Sequence, residues 1–223
     1  MSFKAYQPII KICGIKTPKI AQHCIDAGAD MLGFVFFEKS PRHLELKEIK
    51  QLIDLVHNRA ETVILSVNPS DKLVRQIDAL KPNWLQLHGN ESLERVKEIR
   101  SLTDMKIIKA LPVGSSADVK NIKAFYAVVD RIILDAKPPK NASRPGGLGK
   151  AFDWGLLKML DPSIKFMLSG GLNDQNVSDA VINVRPFGLD VSSGVEKIVG
   201  EKDEKKILDF INNALNAAKK LEK

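Results

Sequence analysis

The sequence predicts an α/β protein, a closed (β/α)8 barrel forming a single domain over residues 1–223. Three observations lead there. Eight short, β-branched apolar runs alternate with longer amphipathic stretches, the rhythm of a parallel sheet with helices over its outer face. The 223 residues give about 28 per unit, close to the ~30 of a βαβ unit. Polar, chemistry-bearing residues collect at the C-terminal ends of the runs, where such a barrel builds its active site. An open doubly wound sheet is the other topology for this pattern, but eight equal units favour closure.

The strands are expected, in order, at 9–13 (IIKIC), 31–36 (MLGFVF), 62–67 (TVILSV) and 84–88 (WLQLH). They continue at 106–111 (KIIKAL), 131–135 (RIILD), 165–169 (KFMLS) and 187–191 (FGLDV). Helical patterns fall at 19–27, 46–57, 71–80, 93–100, 119–128, 177–183 and 204–221, with apolar residues every three or four positions. Ser70, Asn90 and Asn173 stand where helix N-caps belong. The connection at 136–152 is rich in Pro and Gly and too long for an idle turn, which marks it as a functional loop. Strand alternation puts Lys11 and Cys13 on one face, and Arg131, Ile133 and Asp135 on one face.

Composition excludes several classes. Hydrophobic residues at 44% and charged residues at 27% rule out disorder and fibrous structure. No apolar stretch approaches the roughly 18–20 residues of a membrane helix, and the start, MSFKAYQPIIKICG, lacks the apolar run of a signal peptide. Two cysteines, Cys13 and Cys24, make no disulfide framework, so a reducing, cytoplasmic setting is expected. The net charge of +7 is spread over both halves, except that 136–152 holds Lys137, Lys140, Arg144 and Lys150 with no acid. Such a compact patch suits a small anionic ligand; a nucleic-acid groove would need a longer basic surface with interleaved aromatics. No nucleic-acid or membrane partner is expected, and a monomer is expected rather than a dimer.

The candidate chemistry follows from the strand ends. Ser169-Gly170-Gly171 and Ser192-Ser193-Gly194 offer backbone N–H donors after the seventh and eighth strands, the recurring phosphate site of this fold. As tight turns alone they would be bland; as two adjacent turns they predict phosphate binding. Cys13 reads either as a small core residue or as a reactive thiol whose thiolate Lys11 would favour. Asp135 reads either as a cap or salt-bridge partner, or as a general acid at a strand end. Arg42, in Lys39-Ser40-Pro41-Arg42, could clamp a carboxylate bidentately or be a solvated loop residue. His88 lies at a strand end and can line the site; His23, His43 and His57 complete a set without metal-ligand spacing, so no metal is expected. The run Gly146-Gly147-Leu148-Gly149-Lys150 is not a nucleotide loop, because Ser or Thr does not follow the lysine and Arg144 stands where the first glycine belongs. It reads as a lid.

Taken together, these residues resemble a known family. Lys11-Ile-Cys-Gly-Ile-Lys-Thr17, Gly33-Phe-Val-Phe-Phe37 with Lys39-Ser-Pro-Arg42, and Gln86-Leu-His-Gly89 are similar to signature segments of the phosphoribosylanthranilate isomerases. So are Leu134-Asp135, Gly149-Lys-Ala-Phe-Asp-Trp154, Leu168-Ser-Gly-Gly-Leu172 and Asp190-Val-Ser-Ser-Gly-Val-Glu196, in the same order along the chain. The resemblance implies a (β/α)8 barrel of tryptophan biosynthesis that needs no cofactor. It implies an Amadori rearrangement of N-(5-phosphoribosyl)anthranilate to 1-(2-carboxyphenylamino)-1-deoxyribulose 5-phosphate. By position, Asp135 matches the family's general acid, Cys13 its general base, and Arg42 the residue on the anthranilate carboxylate. His88 and Asp190 are expected at the substrate, and Gly170, Gly171, Ser192, Ser193 and Gly194 at its phosphate. The basic loop is longer than the shortest family versions. Two other readings remain at this stage: a different phosphate-binding barrel isomerase, and a barrel that binds phosphate without catalysis. The second would need neither Cys13 nor Asp135.

Overall fold

Short β-branched runs whose two faces are both apolar can only be buried strands, and here eight of them close on one another. A computed structural model describes residues 6–139, 141, 145–146 and 152–221. The strands are β1 (Ile9–Cys13), β2 (Met31–Phe36), β3 (Glu61–Ser66), β4 (Trp84–Leu87), β5 (Lys106–Val113), β6 (Arg131–Ala136), β7 (Phe166–Leu168) and β8 (Gly188–Val191). They pair in parallel in chain order, and β8 returns to β1 to close the barrel. The register there sets Lys11 beside Asp190, and on the other side Cys13 beside Gly33.

The lumen is filled in layers, as a small barrel requires. Met31, Val63, Trp84, Ile108, Ala110, Ile133 and Met167 form the lower plug, and Cys13, Val35 and Leu65 an upper one. The Arg131 guanidinium caps the lower mouth, 4.5 Å from the Trp84 ring centroid and 5.1 Å from that of Phe187. The opposite strand faces, with Ile12, Phe34, Ile64 and Leu134, join the helices in a larger outer cluster.

The helices are α1 (Pro18–Asp26), α2 (Leu46–Val56), α3 (Asp71–Asp78), α4 (Leu93–Leu102), α5 (Ser116–Lys120), α6 (Ile122–Tyr126), α7 (Val177–Val184) and α8 (Glu204–Lys220). Ser70 caps α3 as expected, its hydroxyl accepting the Leu73 N–H. Other expectations are corrected. Ser92, not Asn90, caps α4, its hydroxyl accepting the Arg95 N–H, while the Asn90 N–H goes to Asn68 in the adjacent loop after β3. The Asn173 carboxamide accepts the Gln175 and Asn176 N–H groups, a local turn that delays α7 to Val177. The helix expected at 119–128 is two short ones meeting at Asn121, whose N–H bonds the Asp118 carbonyl three residues back.

The strand–helix rhythm also lapses after β6, where Trp154–Met159 forms only a 3-10 helix. An unexpected antiparallel hairpin, β9 (Glu196–Ile198) and β10 (Glu201–Lys202), follows β8. Its strands are too short to show a period in the sequence, yet it supplies two site residues.

Candidate active site

The C-terminal ends of the strands surround a pocket of about 300 Å³. Cys13, His88, Asp135, Asp190 and Arg42 all line it, as do Gly170, Gly171, Ser192 and Ser193. The fold thus brings the predicted site residues to one place, because parallel strands in a closed barrel end on the same rim. Gly194 stands behind the rim. A Cβ there would lie 1.8 Å from the Leu172 carbonyl oxygen, so glycine lets the turn after β8 press against the turn after β7. Gly170 adopts φ +84°, and a Cβ on it would meet the Ala136 nitrogen at 2.4 Å and Asp135 Oδ1 at 3.0 Å.

Asp135 ends β6 with its carboxylate in the pocket. Oδ1 accepts the Ala136 N–H at 2.8 Å, and Oδ2 lies 3.2 Å from His88 Nε2. His88 continues from β4 into a loop held from beneath: Glu91 accepts the Asn68 and Gly89 N–H groups and pairs with the buried Lys109 at 2.9 Å. Of the loop after β6, Pro138, Pro139, Pro145 and Gly146 reach the pocket wall, with Lys137. Lys140, Arg144 and the Gly147–Lys150 run, expected in the lid, lie outside the described residues.

Opposite Asp135, the Lys11 ammonium, fully buried in the lumen, bonds Asp190 Oδ1 at 2.7 Å, and Ser169 Oγ donates to Asp190 Oδ2 at 3.2 Å. Burial works to lower the Lys11 ammonium, but Asp190 and then Cys13 outweigh it and hold it charged. Cys13 is 4% exposed. Lys11 does favour the Cys13 thiolate, as expected, but burial outweighs it. Burial pushes the Cys13 thiol up, Lys11 pulls it down by less, and Asp190 pushes it further up. Lys11 is shared between Asp190, which it hydrogen-bonds, and Cys13.

A pH dependence follows. The thiolate is the reactive form, and each unit of upward shift lowers its share at neutral pH about tenfold. Alkylation of Cys13 by iodoacetamide, followed by mass spectrometry, is therefore expected to run slower at pH 7 than that of free cysteine. It should climb steadily as pH rises past the ordinary thiol range. Fast alkylation independent of pH would instead mean a thiolate stabilised in the resting site.

Two residues bonded to the site escaped the sequence reading. Glu196 grips Arg42 side-on, with Arg42 Nε and Nη2 donating to its two oxygens at 2.6 and 2.8 Å. Arg42 is thereby buried, not solvated. Lys202, from β10, donates to Glu196 at 3.0 Å and to the Ser192 carbonyl at 2.8 Å. Burial raises the Glu196 carboxyl, but the Arg42 hydrogen bonds and the Lys202 charge prevail and bring it to about 2. Glu196 stood within one quoted signature segment, yet no spacing rule pairs it with a residue 154 positions away. Among the described residues, no group of three His, Cys, Asp or Glu side chains is arranged to hold a metal ion, and no helix is long and apolar enough to cross a membrane.

Known proteins share this arrangement. The family model for N-(5'-phosphoribosyl)anthranilate (PRA) isomerase matches residues 10–213. The N-(5'-phosphoribosyl)anthranilate isomerase of Rhodopseudomonas palustris strain BisB5 is 48% identical over 207 residues, 92% of this chain and 95% of the relative. The crystal structure of phosphoribosylanthranilate isomerase from Thermotoga maritima superposes with a TM-score of 0.82 at 34% identity, covering 93% of this chain and 98% of that one. A phosphoribosylanthranilate isomerase in complex with reduced 1-(o-carboxyphenylamino)-1-deoxyribulose 5-phosphate gives a TM-score of 0.79 at 31% identity, with coverage of 93% and 98%. A dimeric Thermotoga maritima isomerase, solved as monomers, also matches, at 32% identity and a TM-score of 0.79 over 93% of this chain and 98% of that one. A barrel whose upper rim joins Cys13, Asp135 and Arg42 to two glycine-serine turns, with a family match over nearly its whole length, belongs to the N-(5'-phosphoribosyl)anthranilate isomerase family.

Proposed function

We propose that Asp135 and Cys13 carry out the isomerisation of N-(5'-phosphoribosyl)anthranilate, the tryptophan-biosynthetic activity of this family, as general acid and general base. The observation that carries the reading is that both line one pocket together with Arg42 and the turns after β7 and β8. The product analogue bound by a relative carries a carboxylate and a phosphate, the two anions that an arginine and glycine-serine turns suit. Arg42 takes the anthranilate carboxylate. Gly170, Gly171, Ser192 and Ser193 take the phosphate, with Gly194 shaping the turn, while His88 and Asp190 line the sugar between them.

In the first step Asp135 gives its proton to the furanose ring oxygen. The C1′–O4′ bond breaks as the anilino nitrogen lone pair forms C1′=N, leaving an iminium cation. Cys13, its own proton having passed to solvent, then removes the C2′ proton as a thiolate, and that C–H electron pair moves toward the iminium to give an enolamine. The enolamine tautomerises to the ketone by gaining a proton at C1′ and losing the proton of its C2′ hydroxyl. The electrostatics suit this order. Burial and Asp190 together outweigh the pull of Lys11 and Lys202, so a Cys13 thiolate in the resting lumen is disfavoured. The iminium supplies the countercharge when the base is needed.

No cofactor is required on this reading. The test is loss of anthranilate-type fluorescence when the protein meets freshly generated substrate. Rapid turnover, unaffected by EDTA, is expected. A folded protein without turnover would return the chain to the barrels that bind phosphate without catalysis. The same reading takes the chain as one barrel domain with 136–152 as its active-site loop. Its two free, buried cysteines support a cytoplasmic setting. For assembly we keep the monomer, beside a relative that is dimeric; light scattering on the purified chain decides between them.

A further inference from the structure

Arg42 is held from behind. Glu196 occupies the edge of its guanidinium formed by Nε and Nη2, and both side chains are nearly inaccessible, at 5% and 4%. A planar guanidinium has a second edge matched to a carboxylate, formed by its two terminal nitrogens. With the first edge taken and the ring fixed, that second edge is the one Arg42 has for the pocket it lines.

Glu196 is itself fixed. Its Oε2 accepts the Gly200 N–H at 3.1 Å and its Oε1 accepts from Lys202 Nζ at 3.0 Å. The Lys202 side chain, 2% exposed, also donates to the Ser192 carbonyl oxygen at 2.8 Å. In a trans peptide the C=O and the following N–H point opposite ways. Drawing the Ser192 carbonyl toward Lys202 therefore turns the Ser193 N–H away from Lys202, in a turn whose Ser192 and Ser193 both line the pocket. The network sums to one positive charge, two cations on one carboxylate. Burying such a set seldom stabilises a fold better than apolar packing would, but it suits a wall that receives anions.

We propose that Glu196 and Lys202 are positioning residues: they hold the carboxylate-facing edge of Arg42 and the phosphate-facing turn at Ser192 at one fixed span, so that the site selects ligands bearing both anions over ligands bearing one. This rests on the reading of Arg42 and of the Ser192 turn given above. Neither positioning residue touches the reacting atoms.

The experiment compares the reduced carboxyphenylamino-deoxyribulose phosphate with inorganic phosphate as ligands of wild type, Glu196→Gln, Lys202→Met, Arg42→Lys and the double variant Arg42→Lys/Glu196→Gln. Glu196→Gln sets an amide N–H against an Arg42 donor. It should weaken the analogue about tenfold and raise KM alike, with a smaller fall in kcat and phosphate inhibition moved less than about twofold. Lys202→Met should weaken phosphate about fivefold. Since Glu196 acts through Arg42, the double variant should bind the analogue no more weakly than Arg42→Lys alone. Analogue binding at the wild-type level in folded Glu196→Gln, while Arg42→Lys binds weakly, would overturn the positioning role. So would equal losses for analogue and phosphate with a lowered Tm, the mark of a merely structural part. Wild-type binding by Arg42→Lys would instead overturn the assignment of Arg42. Should Glu196→Gln not fold, Glu196→Asp, which keeps the charge but withdraws it by one methylene, is read against the same outcomes.

Discussion

Replacing Asp135 by Asn lowers kcat for the isomerisation by about a thousandfold, within the 10²–10⁴ that a positioned general acid contributes, while the reduced product analogue binds within a few-fold of wild type. The amide is nearly isosteric. Its oxygen still accepts the Ala136 N–H as Oδ1 does at 2.8 Å, and its other end still faces His88. What it lacks is a proton to give to the ring oxygen, so the furanose stays closed. The measurement is the initial rate of fluorescence loss at saturating substrate, beside titration of the analogue. His88 is the built-in alternative donor, with Nε2 3.2 Å from Asp135 Oδ2. Near-full activity in Asp135→Asn, lost on adding His88→Asn, would move the acid to the histidine.

Replacing Cys13 by Ser produces a loss of similar size, about 10²–10⁴-fold in kcat, for a different reason. Serine fits the space and leaves the Lys11–Asp190 pair in place, but its hydroxyl has a far higher pKa than a thiol and is a poor base without a neighbouring proton acceptor. Binding should again persist. Burial already pushes the wild-type thiol up, so its thiolate is a strong base once formed but scarce in the resting site. Single-turnover kinetics separate the two variants: Asp135→Asn leaves the substrate closed, whereas Cys13→Ser should open it and stall before loss of the C2′ proton. A Cys13→Ser enzyme with wild-type turnover would remove the thiol from the mechanism.

The barrel was legible because parallel strands buried on both faces read as continuous apolar runs, and 9–13, 31–36 and 131–135 are hard to read otherwise. Positions at strand ends were legible for the same reason. Once a closed barrel is assumed, Cys13, Asp135 and Asp190 must share a rim. Local competition for hydrogen bonds was not legible. Asn90 and Asn173 are proper capping types, yet the Asn90 N–H is bound by Asn68 of the loop after the neighbouring strand, and the Asn173 side chain closes a turn before the helix begins. The hairpin of Glu196–Ile198 with Glu201–Lys202 left no periodic trace because two and three residues are too few to carry one.

By itself the sequence determined the architecture and which side chains stand at the upper rim, since both follow from period, strand ends and turn chemistry over short stretches of chain. Only the tertiary structure decided the electrical state of those side chains. Lys11 was expected to favour the Cys13 thiolate and does, but it is also paired with Asp190, 179 residues away, and burial raises the thiol by more. Arg42 reads as a loop residue until Glu196 and Lys202, 154 and 160 positions further on, enclose it. A charge's effect depends on what surrounds it and how little water remains, and both are properties of the closed barrel that no local stretch of sequence contains.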